Sequence, residues 1–476
     1  MKNSARKNKK SIMSAWVFIA MIATICAISI HCYCLIIFIG ILFYVAHGIF
    51  WADHIYYSPC SDYEFKFNAA LSFGCKLTRY GLTSLAPLPT TIDTCILPVK
   101  LTANRFGYIF DPYIELRADH VVSRQYFERG VNGQRFLNLT RLLAPLQKSN
   151  ELIQISCRYC NIQEGEFSLL GFSNPAYLNK RVLIVAPHAD DAELAAFAFY
   201  KHADSAFIVT ITAGEVDAES YEVIVGKNNK VAAGLLKGRL RAWDSVAIPM
   251  WAGAHVESIQ LGYFCMTLKT MYEQPGTAIS SQEMVTTDVR PFRVFNKKML
   301  SSDQQGDNSW LHLLADLTEL VSEYQPDIIV TPHPKLDAQV DHIYSTRAIF
   351  SVCENLNIHP DFFMYANHNH HTDMYPFGPE HCDLPLPPHF GNEVVADKLF
   401  SFGLSGDDQQ DKICALQMMH DLNRPTHIKK RLRRFLQRII NRSAMPYGDD
   451  EYLRKAIRQQ ELFWVASMPE LKKQLE

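Results

Sequence analysis

Charge of one sign is what this chain most lacks. Across 476 residues, 47 Lys and Arg stand against 49 Asp and Glu, a formal net charge of −2. That balance excludes a general polyanion binder, and no recognition module is present, so nucleic acid is not an expected partner. A disulfide framework is lacking as well. The 12 Cys are scattered, and Cys26, Cys32 and Cys34 fall in an apolar leader. Cys157-Arg-Tyr-Cys160 has no second pair with which to build a zinc knuckle. Free buried thiols in a reducing compartment are the expectation. With 48% hydrophobic residues the chain is not disordered, and its length suits two or three domains.

Charge is missing altogether from Ser11 to Ala52, after a tail carrying Lys2, Arg6, Lys7, Lys9 and Lys10. At ~1.5 Å per residue, one helix of that length would be about twice the ~30 Å hydrocarbon thickness. Two spans, residues 12–30 and 35–51, fit better, turning at His31-Cys-Tyr-Cys34. The apolar region is too long for a cleaved signal peptide. A basic N-terminus stays in the cytoplasm. A hairpin therefore returns the remainder to the cytoplasmic side of an inner, cytoplasmic-type membrane, whereas a single tilted span would place it outside.

Five segments follow from these patterns. Residues 1–11 form a basic tail and 12–51 a transmembrane hairpin or long span. Residues 52–180 form a small accessory β-rich domain, 181–425 a catalytic α/β domain, and 426–476 a basic amphipathic helix with the closure of that domain. In the accessory part Pro87, Pro89 and Pro98 interrupt an irregular stretch. After it come alternating runs at residues 113–116, 135–139, 152–156 and 166–170, the mark of antiparallel strands. Arg124-Gln-Tyr-Phe-Glu-Arg-Gly130 flanks aromatics with charge and reads as a sugar contact or as a hairpin or domain interface. In residues 427–442, Ile428, Leu432, Phe435, Leu436 and Ile439 share a face. Such a helix lies on an anionic membrane or docks on its own domain.

The chemistry sits in Arg181-Val-Leu-Ile-Val-Ala-Pro-His-Ala-Asp-Asp-Ala-Glu193. A buried strand precedes His188, Asp190 and Asp191, and a helix follows. A second apolar run, Ile328-Ile-Val-Thr331, opens into Pro332-His-Pro-Lys-Leu-Asp-Ala-Gln-Val-Asp-His342. Open α/β sheets bind ligands at the carboxyl ends of their strands. Two such ends, each delivering His and Asp, converge on one ion if their strands are neighbours. Two neutral imidazoles and one carboxylate suit Zn²⁺ in a catalytic site with an open fourth position. The competing reading is that these groups cap helices and pair with surface cations. Alternating strands and helices predict a Rossmann-like three-layer sheet.

Pro187-His-Ala-Asp-Asp-Ala-Glu193 and the later Asp341-His342 resemble the two motifs of the PIG-L/LmbE family of zinc-dependent de-N-acetylases. Thr210-Ile-Thr-Ala-Gly214, Arg241-Ala-Trp-Asp244 and Gln460-Glu-Leu-Phe463 support the resemblance, which runs from about Lys180 to the C-terminus. It implies that His188, Asp191 and His342 hold zinc, that Asp190 is the general base, and that Asp341 orients a ligand. It also implies that the substrate is an N-acetylglucosaminyl group. With the apolar leader, that points to a membrane lipid-linked or lipopolysaccharide-type glycan. An acyl hydrolase of other specificity and a non-catalytic glycan-binding relative are the alternatives.

One departure matters. Many relatives carry His where this chain has Gln339, so the oxyanion relies on zinc with Gln339, or on another imidazole. His368, His370 and His371 follow a strand-like run and supply candidates, His370 foremost, or else form a surface cluster. Arg241 positions substrate or pairs with Asp244. Glu193 is a helix N-terminal charge or a functional acid, and His333 a loop-base residue or a ligand.

Overall fold

In the computed structural model, which describes residues 14–25, 33–50, 55–148, 151–391, 394–422, 435 and 451–476, the strand Arg181–Ala186 buries both faces. Val182 and Ile184 enter one core cluster, Leu183 and Val185 another. Burial on both sides explains a continuous apolar run where a half-buried strand would alternate.

This strand is third in a seven-stranded sheet. The order is Val256–Tyr263, Ser205–Thr212, Arg181–Ala186, Ile328–Pro332, Asp361–Tyr365, Gln460–Ala466, Lys398–Gly403. The first five pair in parallel, and Gln460–Ala466 runs against both its neighbours. Val182 lies in register with Ile328, so the strands carrying the two motifs are hydrogen-bonded neighbours. Both deliver their following loops at the same edge.

The expected architecture requires correction. The antiparallel part is not a small accessory unit but a sheet of nine strands spanning Leu71 to Phe172, every pair antiparallel. Its edge strands Val121–Tyr126 and Asn132–Asn138 are tied to each other by side chains. Gln125 Nε2 donates to Asn138 O at 2.7 Å, and Asn138 N donates to Gln125 Oε1 at 2.9 Å. The sheet is thus curled into a nearly closed barrel. With the mixed second sheet, this replaces the Rossmann-like domain with an appended small β unit. Ile96, Phe136 and Phe172 of the barrel share a core cluster with Leu183 and Ile329 of the mixed sheet.

The membrane segment is corrected too. Among the described residues no helix is long and apolar enough to cross a membrane. Residues 14–25 form one helix and Tyr33–Phe50 another. At ~1.5 Å per residue Tyr33–Phe50 measures roughly 27 Å, short of ~30 Å. The expected placement in a cytoplasmic-type membrane, with the catalytic part on its inner face, loses its basis. The basic tail and, Phe435 apart, the amphipathic run 427–442 lie outside the described residues.

The Pro-interrupted stretch is ordered as well. Pro98 sits inside the ten-residue strand Thr94–Ala103. On one side that strand pairs continuously from Ile96 to Thr102, while on the other no strand partner lies between Ile96 and Leu101. A missing N–H is tolerated in such a gap.

The charged segment Arg124–Gly130 serves packing. Glu128 and Arg135 form an ion pair with both side chains fully buried. Glu128 also accepts from Tyr63 Oη at 2.9 Å, and Arg135 donates to Pro59 O and Ser61 O. Removing one partner strands a buried charge. Arg135→Met is expected to lower stability by about 3–5 kcal/mol, and adding Glu128→Gln to recover part of it. Urea unfolding of the two variants checks this; an unaltered midpoint in Arg135→Met would refute the assignment.

Candidate metal centre

Three ligand atoms meet where the two motif strands end. His188 Nδ1 lies 3.1 Å from Asp191 Oδ2, His342 Nε2 lies 3.1 Å from the same oxygen, and the two ring nitrogens are 3.3 Å apart. The histidines are 154 residues apart in sequence. Two donors ~2.0–2.1 Å from one tetrahedral ion stand roughly 3.3 Å from each other. The group can therefore hold a metal ion.

Local structure explains the convergence. Asp191 opens the helix Asp191–His202, and its Oδ2 accepts from His188 N at 2.9 Å, closing the turn after the strand. His342 lies in the first turn of Val340–Asn355, capped by Gln339, whose Oε1 accepts from His342 N at 3.0 Å. The far nitrogen of each imidazole meets a carboxylate. His342 Nδ1 is 3.0 Å from Asp337 Oδ2, and His188 Nε2 is 3.4 Å from Asp341 Oδ2. Such outer carboxylates fix the tautomer of metal-binding imidazoles. Asn367 Nδ2 donates to the other Asp191 oxygen at 2.8 Å.

The electrostatics call for positive charge. Burial alone would raise the Asp191 pKa, but the charge on His342 and hydrogen bonds from both histidines hold it well below the usual range. Burial likewise opposes charge on His342, yet Asp191 and Asp337 push its pKa up to about 10. These carboxylates demand protonated imidazoles or a cation between them. Asp341 Oδ1 is buried with no hydrogen-bond partner.

Sequence reasoning left two participants without roles. Asp337 lies in the quoted second motif, five residues before His342, and also accepts from the backbone N–H groups of Gln339, Asn367 and His368. Cys265 follows the strand Val256–Tyr263, with Sγ 3.5 Å from His188 Nε2 and 3.4 Å from Asp341 Oδ2. His188, Cys265 and Asp341 thus make a second group able to hold a metal. No pattern in the sequence marks Cys265.

Other expected residues fall as follows. Asp190 is outside the ligand cluster, its Oδ1 3.2 Å from Arg241 Nη2. Arg241 does not pair with Asp244. It bonds Asp421 at 2.7 Å, while Asp244 binds His420 at 2.6 Å. Burial works against charge on Arg241, and Asp190 and Asp421 outweigh it, raising its pKa. Gly214, at φ 65°, lets this guanidinium pass, since a Cβ there would collide with it. Gln339 has its carbonyl engaged in the cap, and its Nε2 lies 3.7 Å from Met266 Sδ.

Of the three later histidines, His368 rather than His370 stands against the centre, its ring centroid 5.0 Å from that of His342. His370 packs beside His371. Glu193 is no surface helix charge: it is buried, accepts from Tyr200 Oη at 3.1 Å, and burial pushes its pKa up to about 8. His333 is a loop-base residue, its Nδ1 accepting from Lys335 N and Leu336 N.

No protein-family model and no curated protein matches the chain. Among solved structures, it is similar to the 4-carboxy-2-hydroxymuconate hydratase GalB of Pseudomonas putida. The TM-score is 0.30 at 14% identity, covering 60% of this chain and 95% of that one. A xylanase from Cellvibrio japonicus, in complex with xylopentaose, gives a TM-score of 0.18 at 9% identity, covering 82% and 89%. Neither likeness bears on fold or activity. The site has to be read from its own residues.

Proposed function

We propose that the chain is a zinc-dependent hydrolase of the PIG-L/LmbE type, removing acetyl from an N-acetylated amino sugar of the N-acetylglucosaminyl kind. The meeting of His188 Nδ1, Asp191 Oδ2 and His342 Nε2 at 3.1–3.3 Å carries this reading. Those are the residues that the resemblance assigns to the ion. The donor set, two imidazoles and one carboxylate, is that of catalytic zinc sites.

Zn²⁺ held there supplies Lewis acidity toward the acetamide carbonyl and toward water. Asp190 takes the proton from the attacking water and passes it to the departing amine. Arg241, itself anchored by Asp421, fixes the Asp190 carboxylate. His368, seated on His342, is the imidazole best placed to donate to the developing oxyanion. The lipid-linked setting rested on a membrane hairpin that the described helices do not supply, so only the amino sugar is retained.

Acetate release from N-acetylglucosaminyl oligosaccharides by the purified full chain tests the reading. Release should cease on chelation and return with Zn²⁺. Turnover of O-acetyl esters without any amide turnover would reassign the activity to an esterase.

A further inference from the structure

A cavity of about 280 Å³ adjoins the metal centre and carries an unbalanced cation. Asn367 and His368 line it while touching Asp191 and His342 from the other side. The cations on its wall are Lys412, Lys455 and Arg458, and the carboxylates are Asp373 and Glu461. Glu461 is already satisfied. The helix Asp191–His202 breaks at Ala196, freeing Ala198 N and Phe199 N to donate to Glu461, and Lys412 Nζ binds it at 2.8 Å. Asp373 accepts from Tyr56 Oη at 3.4 Å.

Arg458 has no such counterpart. It is buried, and among the described residues it forms no ion pair. Its Nη groups donate only to the backbone carbonyls of Pro376, Phe377 and Gly378 at 2.9–3.1 Å. Carbonyls accept hydrogen bonds but do not cancel a full charge. Arg454 brings a second guanidinium to the same carbonyls of Pro376 and Gly378. Burial and that neighbouring charge pull the Arg458 pKa down to about 9, against the opposite pull of Cys382, Tyr375 and Glu380. Arg458 Nε is buried without a hydrogen-bond partner, and so is the indole Nε1 of Trp464, another wall residue.

We infer that this cavity is an oxyanion subsite, taking a phosphate or carboxylate group through Arg458 and Trp464. Its placement beside the metal centre makes that group part of the substrate, an anionic substituent on the amino sugar. This last step rests on the deacetylase reading; the binding of an oxyanion does not. Arg458 Nη2 is held by two carbonyls, so the orphaned donors left for either anion are the Arg458 Nε–H and the Trp464 indole N–H.

The test is calorimetric titration of the full chain with inorganic phosphate and, separately, with glucuronate. Saturable binding of one of them is expected, and the preferred anion names the source. Arg458→Gln removes the cation but also the ties to residues 376–378, and so risks the fold. Trp464→Phe keeps an aromatic side chain and the backbone ties at residues 376–378, and removes the pyrrole half of the indole with its N–H donor. Its Kd for the bound anion should rise about tenfold, the loss of one charge-assisted hydrogen bond. An anion held by the metal centre would be indifferent to Trp464→Phe. Absence of binding by either anion, or equal affinity in Trp464→Phe, overturns the subsite. Neither outcome touches acetate release, so the two readings fail separately.

Discussion

Asp190→Ala should lose acetate release by about 10³-fold, the usual magnitude of a positioned general base, and retain its metal. The two halves of this expectation come from different contacts. The three candidate ligand atoms belong to His188, Asp191 and His342. Asp190, though adjacent in sequence to Asp191, faces Arg241 instead. Adjacent side chains at a helix start diverge, so on the proposed reading one carboxylate serves the ion and the other the proton. Acetate release under saturating substrate, with metal analysis of the same sample, separates the roles. Undiminished turnover would exclude Asp190 as the base, and loss of metal would make it a ligand.

His342→Ala should produce the largest combined defect. Its imidazole is fully buried and lies between Asp191 and Asp337. Without it, Asp191 and Asp337 both border an empty volume, Asp191 keeping His188 and Asn367 as partners and Asp337 only backbone N–H groups. Leaving a buried charge unpaired costs about 3–5 kcal/mol. The variant should therefore be metal-free, inactive and less stable by roughly that amount, which denaturant unfolding measures. His342→Asn, smaller and uncharged, should regain some stability but not the metal. Full metal occupancy in His342→Ala would remove this residue from the centre.

The meeting of His188, Asp191 and His342 was legible because strand ends advertise themselves. Two apolar runs, each opening into His and Asp, need only be neighbours to meet, and Val182 and Ile328 are in register. Asp337 and Cys265 were not legible, since their roles depend on how loops fold back rather than on spacing. Cys265 reaches His188 only because its strand lies two places away in the same sheet.

The fold was harder to read. Gln460 and Glu461 are buried within Gln460–Ala466, so a strand interior to the sheet begins with polar residues. Glu461 is sustained there by Lys412 and two backbone N–H groups contributed from far along the chain. The barrel's near-closure turns on Gln125 and Asn138, whose pairing no periodicity announces. The uncharged leader misled for a different reason. Absence of charge marks an apolar run without making it a membrane span, and among the described residues no helix is long and apolar enough to cross one.

Elemental analysis of the purified full chain tests the central claim most directly. One equivalent of zinc, removed by a chelator and taken up again on addition of Zn²⁺, is the predicted result. A chain that neither carries a divalent metal nor binds added zinc would contradict it.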